Sequence, residues 1–261
     1  PLLKIGARLS SFGLPFRKAL ETAAKLGADA VEIDARSEVR PGELSQTGLR
    51  QIRKLMADLQ LKTAAVRFQT RRGYDVLDDL DARIDATKAA MDMAFQLGAP
   101  VVINQIGRVP EDENCPEWNQ LVQVLGDLGR HGDRTGAWLA ASTGTESGED
   151  LRRLINAAPE GCLMVNFDPG ALIVNGFSPR EDLQSVGPFV RHVYAKDAVR
   201  DLARGRGIET PLGRGTADFP ELLALLEEQG YRGCLTVAAD HPEDPLNETA
   251  QAIRYLRNLW E

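Results

Sequence analysis

The chain has 261 residues, of which 43% are hydrophobic and 26% are charged, a balance typical of globular proteins and unlike that of disordered or fibrous chains. The net charge of -7 argues against a general nucleic-acid or membrane-surface binder, because phosphate-rich partners require a basic face. No stretch approaches the roughly 18 apolar residues of a membrane helix. We therefore expect no nucleic-acid partner and no membrane partner.

The three cysteines, Cys115, Cys162 and Cys234, are widely spaced and form no CxxC pair or Cys/His cluster. This pattern excludes the usual structural zinc site and favours a reducing compartment. We expect a cytoplasmic protein.

Short β-branched runs alternate with longer amphipathic runs along the whole chain, the pattern typical of βα repeats. The predicted strands lie near 3–9, 29–34, 61–67, 99–105, 137–142, 162–168, 189–196 and 233–240. The predicted helices lie near 15–26, 46–59, 78–97, 117–135, 147–157, 179–186, 219–229 and 245–260. Eight units of about 33 residues match the repeat size of a closed barrel. The sequence therefore predicts an α/β protein with a single (β/α)8 TIM barrel domain over residues 1–261.

Three helix-to-strand junctions repeat one another. Leu26-Gly27-Ala28 recurs as Leu97-Gly98-Ala99, and Gln229-Gly230-Tyr231 has the same form. Each glycine follows a predicted helix, where a left-handed helix end suits glycine. The repetition supports the count of βα units.

Alternation within the strands predicts which side chains face the interior of the barrel. Val31 and Ile33 alternate with Glu32 and Asp34, so the apolar pair faces the helices and the acidic pair points inward. The same reasoning places further polar side chains on the inward face, most of them near the carboxyl ends of the strands, and these are Arg8, Arg67, Asn104, Ser142, Asp168, His192, Tyr194, Lys196 and Asp240. We expect a polar barrel mouth.

Four motifs in order give this chain its resemblance to a known family. Residues 165–170 read Val-Asn-Phe-Asp-Pro-Gly, residues 192–197 read His-Val-Tyr-Ala-Lys-Asp, residues 211–215 read Pro-Leu-Gly-Arg-Gly, and residues 230–233 read Gly-Tyr-Arg-Gly. The sequence resembles the xylose isomerase-like barrels grouped as sugar phosphate isomerases and epimerases. That resemblance implies carbohydrate metabolism and a substrate at the barrel mouth.

The resemblance also implies a divalent metal, Mn, Mg, Co or Zn, held by two Glu, one Asp and one His at the ends of strands five to eight. The two Glu also move a proton between sugar carbons in the family. The corresponding positions here are Ser142, Asp168, Tyr194 and Ala238, so Asp168 is the only retained ligand. Since one carboxylate does not make a dedicated metal site, we expect no cofactor unless the activity of the family is retained.

Other residues near the mouth leave alternatives open. Asp240 and His241 could join Asp168 around a metal in a shifted geometry, or they could cap their strand and face solvent. Asp168, without a metal, needs another partner, because an unpaired buried charge is costly. We predict that Tyr194 or Lys196 supplies it. Lys196 could alternatively form a Schiff base if its pKa were lowered.

His192 lies deeper on the strand that carries Tyr194 and Lys196, and we interpret it as a core histidine rather than a catalyst. Arginines cluster in two predicted loops, after strand three and after strand seven, namely Arg67, Arg71, Arg72, Arg200, Arg204, Arg206 and Arg214. Arginine forks suit phosphate or carboxylate ligands, but neighbouring acidic residues could pair with them instead.

Three hypotheses follow. The first is an altered or non-catalytic barrel that binds a small polar or anionic ligand, such as a sugar or sugar phosphate. The second is an active metal-dependent isomerase or epimerase, and the third is metal-independent chemistry. The catalytic candidates are Asp168, Lys196, Tyr194 and Glu32. The ligand-binding candidates are Arg8, Asp34, Arg67, Asn104, Ser142, Arg206, Arg214 and Asp240. A homo-oligomer is compatible with the sequence.

Overall fold

A computed structural model describes residues 3–201 and 206–259. Its strands are β1 (Lys4–Arg8), β2 (Ala30–Asp34), β3 (Lys62–Arg67), β4 (Val101–Asn104), β5 (Trp138–Ser142), β6 (Met164–Phe167), β7 (Val190–Ala195), β8 (Asp197–Asp201), β9 (Arg206–Thr210) and β10 (Cys234–Val237). Eight of them close a parallel barrel in the order β1-β10-β7-β6-β5-β4-β3-β2. The predicted (β/α)8 barrel is confirmed.

The helices pack around the outside of this barrel. They are α1 (Phe16–Lys25), α2 (Gln46–Asp58), α3 (Leu80–Gln96), α4 (Pro116–Thr135), α5 (Gly148–Ala157), α6 (Pro169–Val174), α7 (Pro179–Val186), α8 (Phe219–Glu228) and α9 (Pro245–Asn258). Every predicted strand and helix is present, with ends that differ by a few residues at most. Several helices begin where a serine accepts a hydrogen bond from the first turn, as Ser45 does for α2 and Ser147 for α5.

The three repeated glycines occupy the conformation that the sequence predicts for them. Gly27, Gly98 and Gly230 follow α1, α3 and α8 with φ angles of 91°, 81° and 74°. A side chain at φ angles in this range would be strained, so glycine lets the chain leave each helix and turn directly into the next strand.

The strand faces follow the predicted alternation. Val31 and Ile33 belong to the large apolar core between strands and helices, whereas the smaller core inside the barrel contains Ala140, Tyr194 and Ala238. Asn104 lines a cavity at the carboxyl end of the barrel, as expected, but its position in the strand alternation differs. Val101 and Ile103 of β4 face the interior, so the next residue points away from it, and the Asn104 amide donates to Thr70 and Tyr74 in the loop after β3.

Two elements in the second half of the barrel are absent from the sequence prediction. Helix α6 starts directly after Asp168, in a segment that reads as a turn because of Pro169 and Gly170. The segment after β7 is an antiparallel ribbon, β8 with β9, rather than a long loop, and it packs on α6. Arg204 lies outside the described residues.

The three cysteines are free thiols. No helix in residues 3–201 and 206–259 combines the length and apolarity needed to cross a membrane.

Candidate functional site

Two adjoining cavities open at the carboxyl ends of the barrel strands. The inner cavity, of about 100 Å³, is lined by residues of seven barrel strands or the loops that follow them, and it includes Ser142, Asp168, Tyr194 and Lys196. The outer cavity, of about 480 Å³, adds the loops after β1, β2 and β10. Both cavities are lined by Arg8, Arg67 and Asp240, and together they form the barrel mouth. Substrate sites of this fold lie at that end of the barrel.

Lys196 lies at the centre of the inner cavity and is held by carboxylates. Its Nζ donates to Asp168 Oδ2 at 3.0 Å and to Asp240 Oδ2 at 2.6 Å, and Glu209 Oε2 lies 4.0 Å away. Only 6% of the Lys196 and Asp168 side chains is exposed, so this pair lies in a low-dielectric environment. The prediction that Lys196 partners Asp168 is confirmed.

The ion pairs set the charge states of this group. Burial opposes the Lys196 charge, but Asp168 and Asp240 together outweigh it and raise the pKa of Lys196. Burial alone would raise the pKa of Asp240, yet Lys196 and Arg8 lower it to about 2. Lys196 therefore remains an ammonium and Asp240 a carboxylate at neutral pH. A permanently charged lysine is a poor Schiff-base nucleophile.

The contacts of two other carboxylates at the mouth, Asp240 and Glu209, go beyond what the sequence predicts. Asp240 does not merely cap its strand and face solvent, because it bonds to both Lys196 and Arg8, although 40% of its side chain is exposed. Glu209, one of the acidic residues near the loop arginines, is carried to Lys196 by β9, and its Oε1 accepts the Asp240 backbone N–H at 2.9 Å. His241 lines only the outer cavity and makes no part of this network.

Arg8 forms the second charged centre of the mouth. Its Nε donates to Glu32 Oε1 at 2.8 Å and its Nη1 to Asp240 Oδ1 at 2.9 Å, while its guanidinium lies 4.8 Å from the centre of the Tyr194 ring. Arg8 and Glu32 are register partners on neighbouring strands, so the sheet itself brings them together. Asp240 thus joins the Arg8 and Lys196 centres.

Tyr194 lies between these centres but does not bond to Asp168. Its hydroxyl and Glu32 Oε2 are buried and neither makes a hydrogen bond of normal geometry among the described residues. Burial first, and then the nearby Glu32 carboxylate, raise the pKa of Tyr194, so it is a neutral phenol. The predicted Tyr194 hydrogen bond to Asp168 is therefore wrong, since the hydroxyl belongs to the Glu32 side of the barrel.

A neutral hydrogen-bond chain crosses the barrel below the mouth. His192 Nδ1 lies 2.8 Å from Asn166 Oδ1 and Nε2 lies 2.7 Å from Thr236 Oγ1, and the Asn166 amide donates to Ser142 Oγ at 3.1 Å. Complete burial, with the Arg8 charge, lowers the pKa of His192 to about 3. The interpretation of His192 as a satisfied core histidine is confirmed.

The other ligand-binding candidates divide into two groups. Arg67 lines both cavities and pairs with Asp34 at 3.4 Å. Arg206 and Arg214 do not line either mouth cavity in the part of the chain that the structure describes. Arg206 pairs in register with Asp201 at the tip of the ribbon, at the opposite end from the Asp197 and Thr210 pair that adjoins β7. The ribbon therefore points this arginine away from the mouth.

The residues at the mouth do not fit the divalent metal that the family resemblance implies. Ser142 already accepts from Asn166, Tyr194 is a neutral phenol, and Ala238 has no donor atom. The carboxylates of Asp168 and Asp240 are both held by Lys196, and Asp240 also pairs with Arg8. Within the described ranges, no three His, Cys, Asp or Glu side chains converge as metal ligands. A cation site would therefore require displacement of the lysine.

Comparison with known proteins agrees with this barrel fold. The xylose isomerase-like TIM barrel family matches residues 20–259. The chain belongs to this family. A solved xylose isomerase domain protein from Planctomyces limnophilus superposes with a TM-score of 0.87 at 27% identity, over 99% of this chain and 98% of that one.

Curated relatives match a smaller share of the chain at similar identity. An inosose dehydratase 1 from Bacillus cereus is 24% identical over 80% of both chains. An inosose dehydratase from Clostridium botulinum is 27% identical over 54% of this chain, and the match spans about half, 53%, of that relative. This family member is thus similar, over part or most of its length, to proteins named inosose dehydratases.

Proposed function

We propose that this xylose isomerase-like barrel binds a small neutral polyhydroxylated molecule at its mouth, with the Lys196 ammonium supplying the positive charge that the family obtains from a divalent metal. The observation that carries the proposal is the buried Lys196 Nζ, 3.0 Å from Asp168 and 2.6 Å from Asp240. Lys196 thereby gives Asp168, the retained family carboxylate, a charged partner.

The charge balance of the mouth favours a neutral ligand over an anionic one. Each of its cations is paired, Arg8 with Glu32 and Asp240, Arg67 with Asp34, and Lys196 with Asp168 and Asp240. An additional anion would have to displace a carboxylate that is already hydrogen-bonded. We therefore place sugars and cyclic polyols ahead of sugar phosphates.

Hydrogen-bonding groups suited to hydroxyl ligands remain at the inner cavity. Gln69 and Gln105 line the same cavity and carry both donors and acceptors. The relatives named inosose dehydratases support a ligand of the polyol class.

The active metal-dependent isomerase or epimerase is the alternative that a metal titration decides. We expect purified protein to hold well below one equivalent of Mn, Mg, Co or Zn, and Mn²⁺ titration to give no stoichiometric binding. The variant Ser142→Glu/Tyr194→His/Ala238→Glu should bind Mn²⁺ if these are the metal positions. If the triple variant fails to fold, Lys196→Met provides a second test of Mn²⁺ binding. This variant removes the lysine that pairs with Asp168 and Asp240 and should therefore bind Mn²⁺ more tightly than the wild type. A stoichiometric, chelator-sensitive metal in the wild type would overturn the proposal.

Ligand binding is tested by thermal shift with inositols, ketohexoses and their phosphates. A ligand that binds only the folded state raises the melting temperature. We expect a neutral polyol to do so in the wild type and to lose most of its effect in Gln105→Leu, which keeps a side chain of similar size and removes the amide. Gln51→Leu, at an exposed position of α2, is the matched control. If phosphates stabilise the protein and neutral polyols do not, the proposed ligand class is wrong.

A further inference from the structure

A cavity of about 730 Å³ lies at the opposite end of the barrel from the mouth. It is bounded by the first residues of four strands, Val101 of β4, Trp138 of β5, Met164 of β6 and Val190 of β7, and by the junction between α8 and β10. Its volume falls within the range of about 300–1,000 Å³ typical of small-molecule sites. No described residue lines both this cavity and the mouth.

The aromatic residues of this cavity contribute apolar surface. The Trp138 indole N–H already donates to Asp133 Oδ1 at 3.1 Å, and the Tyr231 hydroxyl donates to the Cys234 carbonyl at 2.7 Å. Because these polar groups are engaged, what the rings and the Met164 thioether present to the cavity is apolar. Flat apolar molecules pack well on such surfaces.

Two arginines at the rim give the cavity a positive charge. Arg191 donates to the Pro188 and Val190 carbonyls at 3.0 Å, and Arg232 donates to the Tyr231 carbonyl at 2.9 Å. The described residues that line the cavity include no Asp or Glu, and neither guanidinium lies within 4.0 Å of a carboxylate in the described parts of the chain. Each arginine therefore retains donors for an anionic group, since a guanidinium has five N–H groups.

Two lysines add to the positive charge of this end of the barrel. Lys4 opens β1 and Lys62 opens β3, and contact between the two ammonium groups lowers the pKa of Lys4. Asp29 also acts on Lys4, but it already pairs with Arg257, so the two lysines still contribute positive potential at this end.

We propose that this cavity binds a small organic anion with a flat apolar body, the anionic group lying between Arg191 and Arg232 and the body against Trp138 and Met164. The site is independent of the mouth and of the function proposed for it. Paired guanidinium groups recognise carboxylates, sulfonates and phosphates, whereas the apolar lining selects against inorganic phosphate alone.

The experiment uses 8-anilinonaphthalene-1-sulfonate as the anionic probe and N-phenyl-1-naphthylamine as its neutral counterpart. Fluorescence titration of the folded wild type should show one saturable sulfonate site, weaker binding of the neutral probe, and energy transfer from tryptophan that falls in Trp138→Phe. Arg191→Gln and Arg232→Gln should each weaken sulfonate binding about fivefold without changing the neutral probe. Arg17→Gln, a surface change on α1, is the control.

Circular dichroism establishes that each variant is folded, and both arginines are exposed, so their loss should not prevent folding. Equal binding of the two probes would overturn the proposal, and so would sulfonate binding unchanged in both arginine variants, because the anion would then bind elsewhere. Inorganic phosphate should compete weakly. Competition as strong as that of the sulfonate would show that the apolar lining contributes nothing and would contradict the stated ligand class.

Discussion

The two ends of this barrel differ in how their cationic side chains are paired. At the carboxyl end Arg8, Arg67 and Lys196 each lie against one or more carboxylates. At the amino end the hydrogen bonds of Arg191 and Arg232 in the described chain go to backbone carbonyls, and no acidic residue lines the cavity beside them there. The number of arginines and lysines is therefore a poor guide to where an anion binds, because pairing decides which of them are available.

The largest expected effect comes from Lys196→Met, which removes the cation shared by Asp168 and Asp240. Leaving the buried Asp168 carboxylate without its partner should lower the free energy of unfolding by about 3 kcal/mol at pH 7. Urea unfolding measures this loss. Lys54→Met, which breaks an exposed pair with Asp58, is the matched control and should cost little. Similar losses in the two variants would contradict the prediction, because the buried ion pairs of Lys196 would then stabilise the protein no more than an exposed surface pair does.

His192→Leu tests the neutral layer that separates the two ends. It leaves Asn166 and Thr236 without their partner and should cost about 3 kcal/mol at pH 7. Because folding lowers the pKa of His192 to about 3, its contribution is present above the unfolded pKa and is lost as the pH falls through 6.5 toward 3. The difference in free energy of unfolding between wild type and variant should therefore be about 2 kcal/mol smaller at pH 5 than at pH 7.

Urea unfolding of the two proteins at pH 7 and pH 5 checks this prediction. His131→Asn is the control, because His131 lies on α4 and pairs with Asp92 near the surface. A gap that stays constant with pH would show that His192 is not held neutral.

Glu38→Gln tests a carboxyl group beside the mouth, where Glu38 Oε1 accepts the backbone N–H of Asp34 at 2.8 Å. Burial first, and then Asp34 and Glu32, raise the pKa of Glu38 to about 7. Since the folded pKa lies above the unfolded one, the protein loses stability as the pH rises from 4.5 through 7, and the glutamine should avoid that loss. We expect a gain of about 2 kcal/mol at pH 8 that shrinks by more than half at pH 5. Glu43→Gln, at an exposed carboxylate, should show no such gain.

The fold could be predicted almost completely, because the signals that specify it are local. Alternation in the strands and the glycines after α1, α3 and α8 are written in consecutive residues. The ribbon was missed since its strands, 197–201 and 206–210, contain several charged residues and little alternation. Without the ribbon, the sequence also did not predict that β9 brings Glu209 to Lys196.

The pairing at the mouth was less accessible to sequence reasoning. Lys196 and Asp168 could be matched because a buried charge needs a partner. The Arg8 and Glu32 pair depends on the register between β1 and β2, and the two contacts of Asp240 depend on how the chain leaves β10, neither of which has a sequence signal. The amino-end cavity gave no motif at all, because its residues come from four separate strand starts and the junction before β10.

The smallest expected effect is at the amino end, where the double variant Arg191→Gln/Arg232→Gln should change the free energy of unfolding by less than about 0.5 kcal/mol. Neither arginine pairs with a carboxylate in the described chain, so neither substitution leaves a buried charge unpaired. Arg8→Gln at the mouth is the comparison, because it removes the cation that pairs with the buried Glu32 carboxylate. Urea unfolding at pH 7 should give a much lower free energy of unfolding for Arg8→Gln than for the double variant. If the double variant loses as much stability, the amino-end arginines are structural and not free to bind an anion.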